Sequence, residues 1–189
     1  MQSVLTLLTS ATRTSLVKTF SVPELTEKPF AVGKDFNVIK EPVSNLQNLS
    51  KVLQRLEYDP TQTIIRGSLA EGKTNSVPRN KGTFTATPRQ WCMIDIDSLA
   101  WDGDINDQQA MLSHAIEQLP ADFQSVDFWY HFSSSMGIKP GIRMHLWFWL
   151  DRPCSDDEMK VWLSGCPVDL RLFNPIQIHL TANPRFIDG

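Results

Sequence analysis

Two aspartates alternate with isoleucines in the run Ile94-Asp95-Ile96-Asp97, which is the pattern of a strand with one polar face. On such a strand the carboxylates of Asp95 and Asp97 lie about 6.5 Å apart along its length. They repel each other unless a cation stands between them. A pair of divalent ions relieves that repulsion and is the usual arrangement for displacement at phosphorus. A strand end with two solvated aspartates is the alternative interpretation.

A second polar group carries the donors that bind phosphate. Hydroxyls, backbone N–H groups near glycines and basic side chains can all donate to a triphosphate; the candidates are Ser133, Ser135, Lys139, Arg143 and His145. Because Arg143 and His145 lie two residues apart on a predicted strand, they share a face and could act on one ligand. The alternatives are a solvated hairpin loop for the serines and the lysine, and a core position for the histidine.

Two segments nearer the end of the sequence add a carboxylate and a polar stripe. Asp169 lies opposite the apolar face of a predicted strand at 168–173, where it could complete the ligands of two ions or lie at the surface. His179 belongs to the polar face of a predicted strand at 177–181. That face could line a nucleotide pocket, or it could simply be exposed to water.

The elements that must position these residues follow from hydrophobic periodicity. Strands are predicted at 63–66, 91–97, 126–133, 143–150, 168–173 and 177–181. Helices are predicted at 44–57, at 107–118 and from Ser155 to Gly165. Ser44, Asn106 and Ser155 are the predicted N-caps, and Gln47 and Glu158 would complete capping boxes at the first and third helix.

The order of these elements predicts the fold class. Over residues 91–173 it is strand–helix–strand–strand–helix–strand, which resembles a ferredoxin-like or RNA-recognition-motif-like antiparallel sheet with helices. We therefore expect an α/β (α+β) protein. Residues 1–90 would form an N-terminal α/β unit with a basic loop, residues 91–189 would form the catalytic unit, and together they would make one core.

Charge is distributed unevenly along the 189 residues, although the formal net charge is only −3. Residues 1–90 hold 12 basic and 7 acidic residues, whereas residues 91–189 hold 6 basic and 14 acidic residues. The small net charge argues against a histone-like, purely electrostatic nucleic-acid binder. It does not exclude a nucleic-acid enzyme, because two divalent cations would offset the charge of the acidic ligands.

Cysteine content and hydropathy predict the compartment. The three cysteines form no C-x-x-C pair, which predicts neither a disulfide scaffold nor a structural zinc. No apolar run reaches the about 18 residues of a membrane span, and residues 1–8 lack the positive charge of a signal peptide. We therefore expect a cytoplasmic protein with reduced thiols and no membrane partner.

The order of the acidic and histidine motifs resembles that of the archaeo-eukaryotic primase superfamily. In this sequence the motifs are Ile94-Asp95-Ile96-Asp97, then Arg143-Met144-His145, then Val168-Asp169. The phage and plasmid primase-polymerase domains are the more similar branch, and the resemblance covers about residues 44–186, with local matches at 64–67, 145–153 and 174–179. One departure is the loop before the histidine, which is longer than the usual Gly/Ser turn and contains Pro140.

The resemblance implies two Mg²⁺ or Mn²⁺ ions held by Asp95, Asp97 and Asp169, with His145 on the triphosphate of an incoming NTP or dNTP. The further candidates are nucleotide contacts at Ser133, Ser135, Lys139, Arg143 and His179, and template or phosphate contacts at Arg66, Arg79 and Arg89. The basic loop at 67–90, which also holds Lys73 and Lys81, would guide a single-stranded DNA template. Such domains often precede a helicase, so we expect a helicase partner or domain and a core cut from a longer replication protein of a phage, plasmid or similar element in a prokaryotic host.

These observations predict a DNA primase-polymerase, a nucleotidyltransferase that makes or extends primers by two-metal catalysis. Two alternatives stay open: a non-catalytic replication-origin or single-strand DNA-binding module, and a metal-dependent nuclease built on the same carboxylates. A rolling-circle nicking enzyme is disfavoured. That chemistry needs two histidines alternating on one strand and a tyrosine nucleophile, whereas His145 is followed by Trp147 and the sequence has only Tyr58 and Tyr130.

Overall fold

A computed structural model describes residues 3–12, 14–28, 33–72 and 74–188, and it shows a mixed α and β protein. Lys73 of the predicted basic loop lies outside these residues. The strands are β1 Ser3–Ser10, β2 Thr19–Val22, β3 Thr26–Glu27, β4 Asp35–Val43, β5 Gln62–Ile65, β6 Ser68–Leu69, β7 Val77–Pro78, β8 Phe84–Thr85, β9 Arg89–Leu99, β10 Phe128–Phe132, β11 Ile142–Cys154, β12 Ile178–His179 and β13 Arg185–Asp188. The helices are α1 Leu46–Leu56, α2 Gln108–Glu117, α3 Ala121–Gln124 and α4 Asp156–Trp162, with a 3₁₀ turn at Leu170–Leu172.

Two sheets position the candidate residues. The first has the strand order β12-β5-β1-β4-β7, and the second has the order β10-β11-β9. All neighbouring strands within these two sheets are antiparallel. The predicted α/β class is therefore confirmed.

The second sheet has two different faces because its strands alternate polar and apolar side chains. One face, which includes Ile94, Ile96 and Met144, is buried against the helices α2, α3 and α4. On the other face, Trp91 and Met93 are buried against the first sheet and α1. Further along β9, the same face carries the two aspartates. Trp91 and Met93 thus anchor one end of this face in the core, and Asp95 and Asp97 at its other end line a pocket.

The predicted helices are confirmed, with two corrections at their N-caps. The N-cap of α1 is Asn45 and not Ser44, because the Asn45 side chain accepts the N–H of Asn48 at 2.8 Å. The N-cap of α2 is Asp107 and not Asn106, because its carboxylate accepts the N–H of Ala110 at 3.0 Å. The predicted capping box between Ser155 and Glu158 opens α4, with both of its reciprocal hydrogen bonds formed.

The strand predicted at 168–173 is wrong. Asp169 instead accepts the N–H of Arg171 at 2.9 Å, and the chain then makes the 3₁₀ turn Leu170–Leu172. A short acidic side chain that bonds the backbone two residues on competes with strand pairing. Since the predicted fourth strand of the second sheet does not form here, the RNA-recognition-motif-like form of that sheet stays a prediction.

The last described residues return to the first half of the chain. The strand predicted at 177–181 is shorter than expected, comprising Ile178–His179, and it pairs with β5. Strand β13 pairs parallel with β2. The two predicted units therefore share a sheet that takes strands from both sides of residue 90. None of the described helices is both long and apolar enough to cross a bilayer.

Candidate functional site

A row of three polar residues crosses the second sheet. Strand register places Asp95 of β9 opposite His145 of β11, and His145 opposite His131 of β10. The His145 Nε2 atom lies 3.4 Å from Asp95 Oδ1, and His145 Nδ1 lies 2.7 Å from His131 Nε2. A line of close polar contacts, hydrogen-bonded between the two imidazoles, therefore joins a carboxylate and two histidines across three strands.

One step further along the sheet, Arg143 of β11 lies opposite Asp97 of β9. The Arg143 guanidinium donates to Asp97 Oδ1. Just before β11, Gly141 has a φ of +79°, and a Cβ there would come within 2.7 Å of the Leu99 carbonyl oxygen. Only glycine therefore fits where the loop turns into this strand.

The third predicted carboxylate comes to the same place from a turn. The Asp169 N–H donates to the Asp95 carbonyl oxygen at 3.0 Å, which brings the turn beside β9. The Asp169 carboxylate is held by the Arg171 guanidinium, whose Nε and Nη2 donate to it at 2.8–3.1 Å. That pairing lowers the pKa of Asp169 below its usual value.

Most of the predicted site residues line one pocket of about 270 Å³. The predicted residues that line it are Asp95, Asp97, Asp169, His145, Ser133, Ser135 and His179. Burial raises the pKa of Asp95 to about 7, and repulsion from Asp169 adds to the effect. The pocket thus concentrates negative charge that the protein itself only partly balances.

Burial keeps the pocket histidines His145 and His179, and the neighbouring His131, neutral. It lowers the pKa of His131 to about 4 and that of His179 to about 3, and it lowers the pKa of His145 well below its ordinary value. His179 is 1% exposed, and neither of its ring nitrogens has a partner among the described residues. Its ring lies edge-on to Trp91 and near Trp147, with 6.1 Å between ring centroids in each pair.

The donor loop before β11 is divided between the pocket and its rim. Ser133 and Ser135 line the pocket, and their hydroxyl oxygens are 3.3 Å apart. Lys139 does not line it, because its ammonium donates to Glu27 at 2.8 Å. Arg143 reaches the site only through its pairing with Asp97.

The predicted template contacts of two arginines are wrong, because both side chains are buried and hydrogen-bonded within the fold. Arg66 is 0% exposed, pairs with Asp156 at 2.6 Å and donates to the carbonyl oxygens of Trp91 and Cys154. Arg89 is 4% exposed and donates to backbone carbonyl oxygens that include those of Val4, Arg66 and Gly67.

The third arginine of that group is also tied to the protein. The Arg79 guanidinium donates to the Ile176 carbonyl oxygen, and its partial burial lowers its pKa. Lys81 is exposed in the same loop. Among the described basic residues of the predicted loop, Lys81 is therefore exposed, Arg79 is half-buried and Arg89 is buried.

Sequence reasoning missed three residues of the site. His131 interrupts the aromatic strand β10, and an isolated polar residue among aromatic ones was the available signal. Lys18, from the segment before β2, lines the pocket, and its ammonium lies 3.9 Å from Glu27. Arg171 holds Asp169 from two residues away. No motif marks either of these basic residues.

The carboxylates are close together but do not form a ready metal cage. Within residues 3–12, 14–28, 33–72 and 74–188, no group of three or more histidine, cysteine or acidic side chains has the spacing that holds a metal ion. Asp97 and Asp169 are each paired with an arginine instead.

One comparison with known proteins gives a relative. The chain is 30% identical over 195 residues to a protein of Escherichia phage T5 described as a putative replication origin binding protein. The alignment takes in 93% of this chain and 21% of the phage protein, so the chain spans about a fifth of its relative's length. No family model matches the chain, and no solved structure does.

Proposed function

We propose that the chain acts on DNA in phage-type replication, and that its acidic pocket catalyses metal-dependent nucleotidyl transfer on a single-stranded template. The similarity to a phage protein named for a replication origin supports the first part. The second part rests on one observation above all: Asp95, Asp97 and Asp169 come from two separate segments and line one pocket with His145.

The chemistry of these donors fits Mg²⁺ or Mn²⁺, which prefer carboxylate oxygens. The raised pKa of Asp95 reports burial and repulsion from Asp169, and a cation between the two would relieve that repulsion. Two ions bound there would activate a 3′-hydroxyl and stabilise a leaving pyrophosphate. To bind these ions, Asp97 must release Arg143 and Asp169 must release Arg171.

The chain's own cations then bind the phosphates of an NTP or dNTP. Arg143 and Arg171 already lie against the acidic pocket, and each becomes free to pair with phosphate oxygens when its carboxylate engages a cation. Lys18 lines the same pocket and adds a further positive charge. His145 donates a hydrogen bond from a neutral ring, and such donors stabilise charge that develops in the transition state.

A second candidate is a module that binds origin or single-stranded DNA without catalysis. Two observations favour it: the name of the phage relative describes binding, and no metal-binding group is preassembled among the described residues. A metal-dependent nuclease on the same carboxylates is a further possibility for the same pocket. A helicase partner stays a prediction.

One experiment separates these candidates. The protein is mixed with primed and unprimed single-stranded DNA, labelled nucleotides and Mn²⁺, and DNA binding is measured in parallel by fluorescence anisotropy in EDTA. Nucleotidyl transfer predicts labelled product that Asp97→Asn reduces about a hundredfold, while Asp102→Asn in the exposed acidic loop leaves it unchanged. Binding in EDTA with no product from any variant would support the non-catalytic module. Loss of label from a preformed DNA end without nucleotides would support the nuclease.

A further inference from the structure

The contact between His131 and His145 has no part in the function proposed so far. The two rings are nearly perpendicular, at 84°, with centroids 4.6 Å apart and a nitrogen–nitrogen distance of 2.7 Å. At that distance one ring nitrogen donates a hydrogen and the other accepts it. The direction of this bond decides which nitrogen of His145 carries its proton.

One direction leaves two groups in unfavourable surroundings. If His145 donated from Nδ1, its Nε2 would present a lone pair to Asp95 Oδ1 at 3.4 Å, and the two would repel while Asp95 is ionised. His131 would then carry its proton on Nδ1, which is buried without a partner among the described residues. A buried N–H without an acceptor is costly.

The opposite direction removes the repulsion, and it leaves His131 with an unpaired acceptor in place of an unpaired N–H. His131 Nε2–H donates to His145 Nδ1, and His145 Nε2, which lies 3.4 Å from Asp95 Oδ1, then carries the ring proton. His131 Nδ1 becomes a bare acceptor, and among buried backbone groups an acceptor with an unfilled lone pair is less rare than an N–H without a partner.

We infer that His131 is a positioning residue: it fixes His145 as the tautomer that carries its proton on Nε2, so that His145 presents a donor to the acidic pocket. The consequence for nucleotide binding rests on the proposed function, whereas the tautomer itself does not. A ring nitrogen whose protonation is set by the partner of the other nitrogen is a familiar arrangement at histidine sites.

The fold holds His131 in place for this role. His131 pairs in register with His145, and the Trp129 ring two residues earlier on the same face lies edge-on to it at 5.1 Å. Trp129 in turn packs against the buried cluster that includes Trp147. Packing against Trp129 and the pairing of β10 with β11 therefore hold the His131 imidazole in place.

The first test reads the tautomer directly, without metal or nucleotide. The protein has four histidines, so ¹⁵N-histidine labelling gives a small set of ring signals to assign. Long-range ¹H–¹⁵N correlation spectra in EDTA at pH 8 should show His145 protonated on Nε2 alone. Protonation of His145 on Nδ1 would overturn the inference, whatever the protein does with nucleotides.

The second test uses two substitutions at one position. In His131→Gln, the side-chain amide can still donate to His145, so the tautomer should be kept. In His131→Phe the donor is lost, so His145 should become a mixture of tautomers, and the KM for the nucleotide in Mn²⁺-dependent extension should rise roughly tenfold with a smaller change in kcat. Near-UV circular dichroism checks folding, and His131→Gln alone serves if His131→Phe does not fold.

Two results would contradict the role of His131. One is an unchanged His145 tautomer in His131→Phe, and the other is a tautomer lost equally in His131→Gln and His131→Phe. Absence of nucleotide incorporation in the wild-type protein would count against the proposed function but leave the tautomer result standing.

Discussion

Asp95 is the residue at which stability and the proposed function conflict most. It lies on a strand whose neighbours are core residues, and its side chain is only 20% exposed. Burial and the nearby Asp169 carboxylate raise its pKa to about 7. A folded-state pKa above the unfolded value of 3.8 means that ionised Asp95 opposes folding. Such a group is retained where its charge has a use.

The first prediction is that Asp95→Asn stabilises the metal-free protein. Below about pH 4 the carboxyl is protonated in both states, and its favourable contribution is lost as pH rises from there through about 7. The free energy of unfolding of Asp95→Asn in EDTA should therefore exceed that of wild type by about 2 kcal/mol above pH 7, and by much less at pH 4. Urea unfolding at both pH values measures this difference. A constant difference across the range would contradict the assignment.

At the residue scale, the sequence predicted the three aspartates, His145 and His179, but neither His131 nor the use of the arginines. The positions of Asp95 and Asp97 could be predicted because residues two apart in a strand lie on the same face of the sheet. Arg66 and Arg89 could not be assigned in this way. Their partners, such as Asp156 and the Val4 carbonyl group, are 90 and 85 residues away along the chain. The residue type alone does not distinguish a buried arginine from one that binds phosphate.

At the element scale, Arg66 joins the end of β5 to the start of α4. Its guanidinium lies 5.4 Å from the ring centroids of both Trp91 and Phe173 and pairs with Asp156, which is buried at the first position of α4. A cation in this setting depends on its partner, because an unpaired buried charge is costly. The pair therefore fixes α4 against the first sheet.

The second prediction follows from that pair. Asp156→Asn leaves the Arg66 cation buried without its carboxylate, so it should lower the free energy of unfolding by about 3 kcal/mol. The matched control is Asp157→Asn at the next position, where the side chain is 93% exposed and the Lys160 pair is worth less than about 0.5 kcal/mol. Chemical denaturation of both variants measures the contrast. Equal losses would show that the buried pair adds nothing beyond the charge of the helix start.

Helices and strands were predicted correctly where hydrophobic periodicity and helix-capping residues agreed. The prediction was wrong where a side chain hydrogen-bonded to the backbone of a nearby residue. The capping box at Ser155 predicted the start of α4, and apolar alternation predicted β9 and β11, because each of these patterns is compatible with one kind of element. The segment after Val168 has the alternation of a strand, but Asp169 bonds the backbone at Arg171 and turns the chain. Local competition of this kind is not visible in hydrophobic alternation.

At the scale of the whole molecule, the chain returns after residue 176 and adds β12 to one edge of the first sheet. His179 accepts the Thr63 hydroxyl at its carbonyl oxygen at 2.6 Å, and its ring lies beside Trp91 and Trp147 from the second half. Strand β13 beyond it is exposed along its length. The two returning strands therefore contribute very unequally to the fold.

The third prediction uses this inequality. Removing residues 185–189 should lower Tm by about 3 °C or less, since it takes away an exposed strand. Removing residues 177–189 also deletes buried His179, Thr181 and Ala182 and uncovers the edge of β5, so Tm should fall by about 10 °C or more. Thermal unfolding followed by circular dichroism compares the two truncations. Similar Tm values would mean that the first sheet does not need β12.

The most direct test of the central claim is metal binding at the acidic pocket. Mn²⁺ is titrated into the protein with a non-hydrolysable nucleoside triphosphate, and bound Mn²⁺ is counted by electron paramagnetic resonance for wild type, Asp95→Asn and Asp102→Asn. We expect saturable, nucleotide-dependent Mn²⁺ binding in wild type and Asp102→Asn, and its loss in Asp95→Asn. Equal Mn²⁺ binding by all three proteins would show that the acidic pocket around Asp95 is not the metal site.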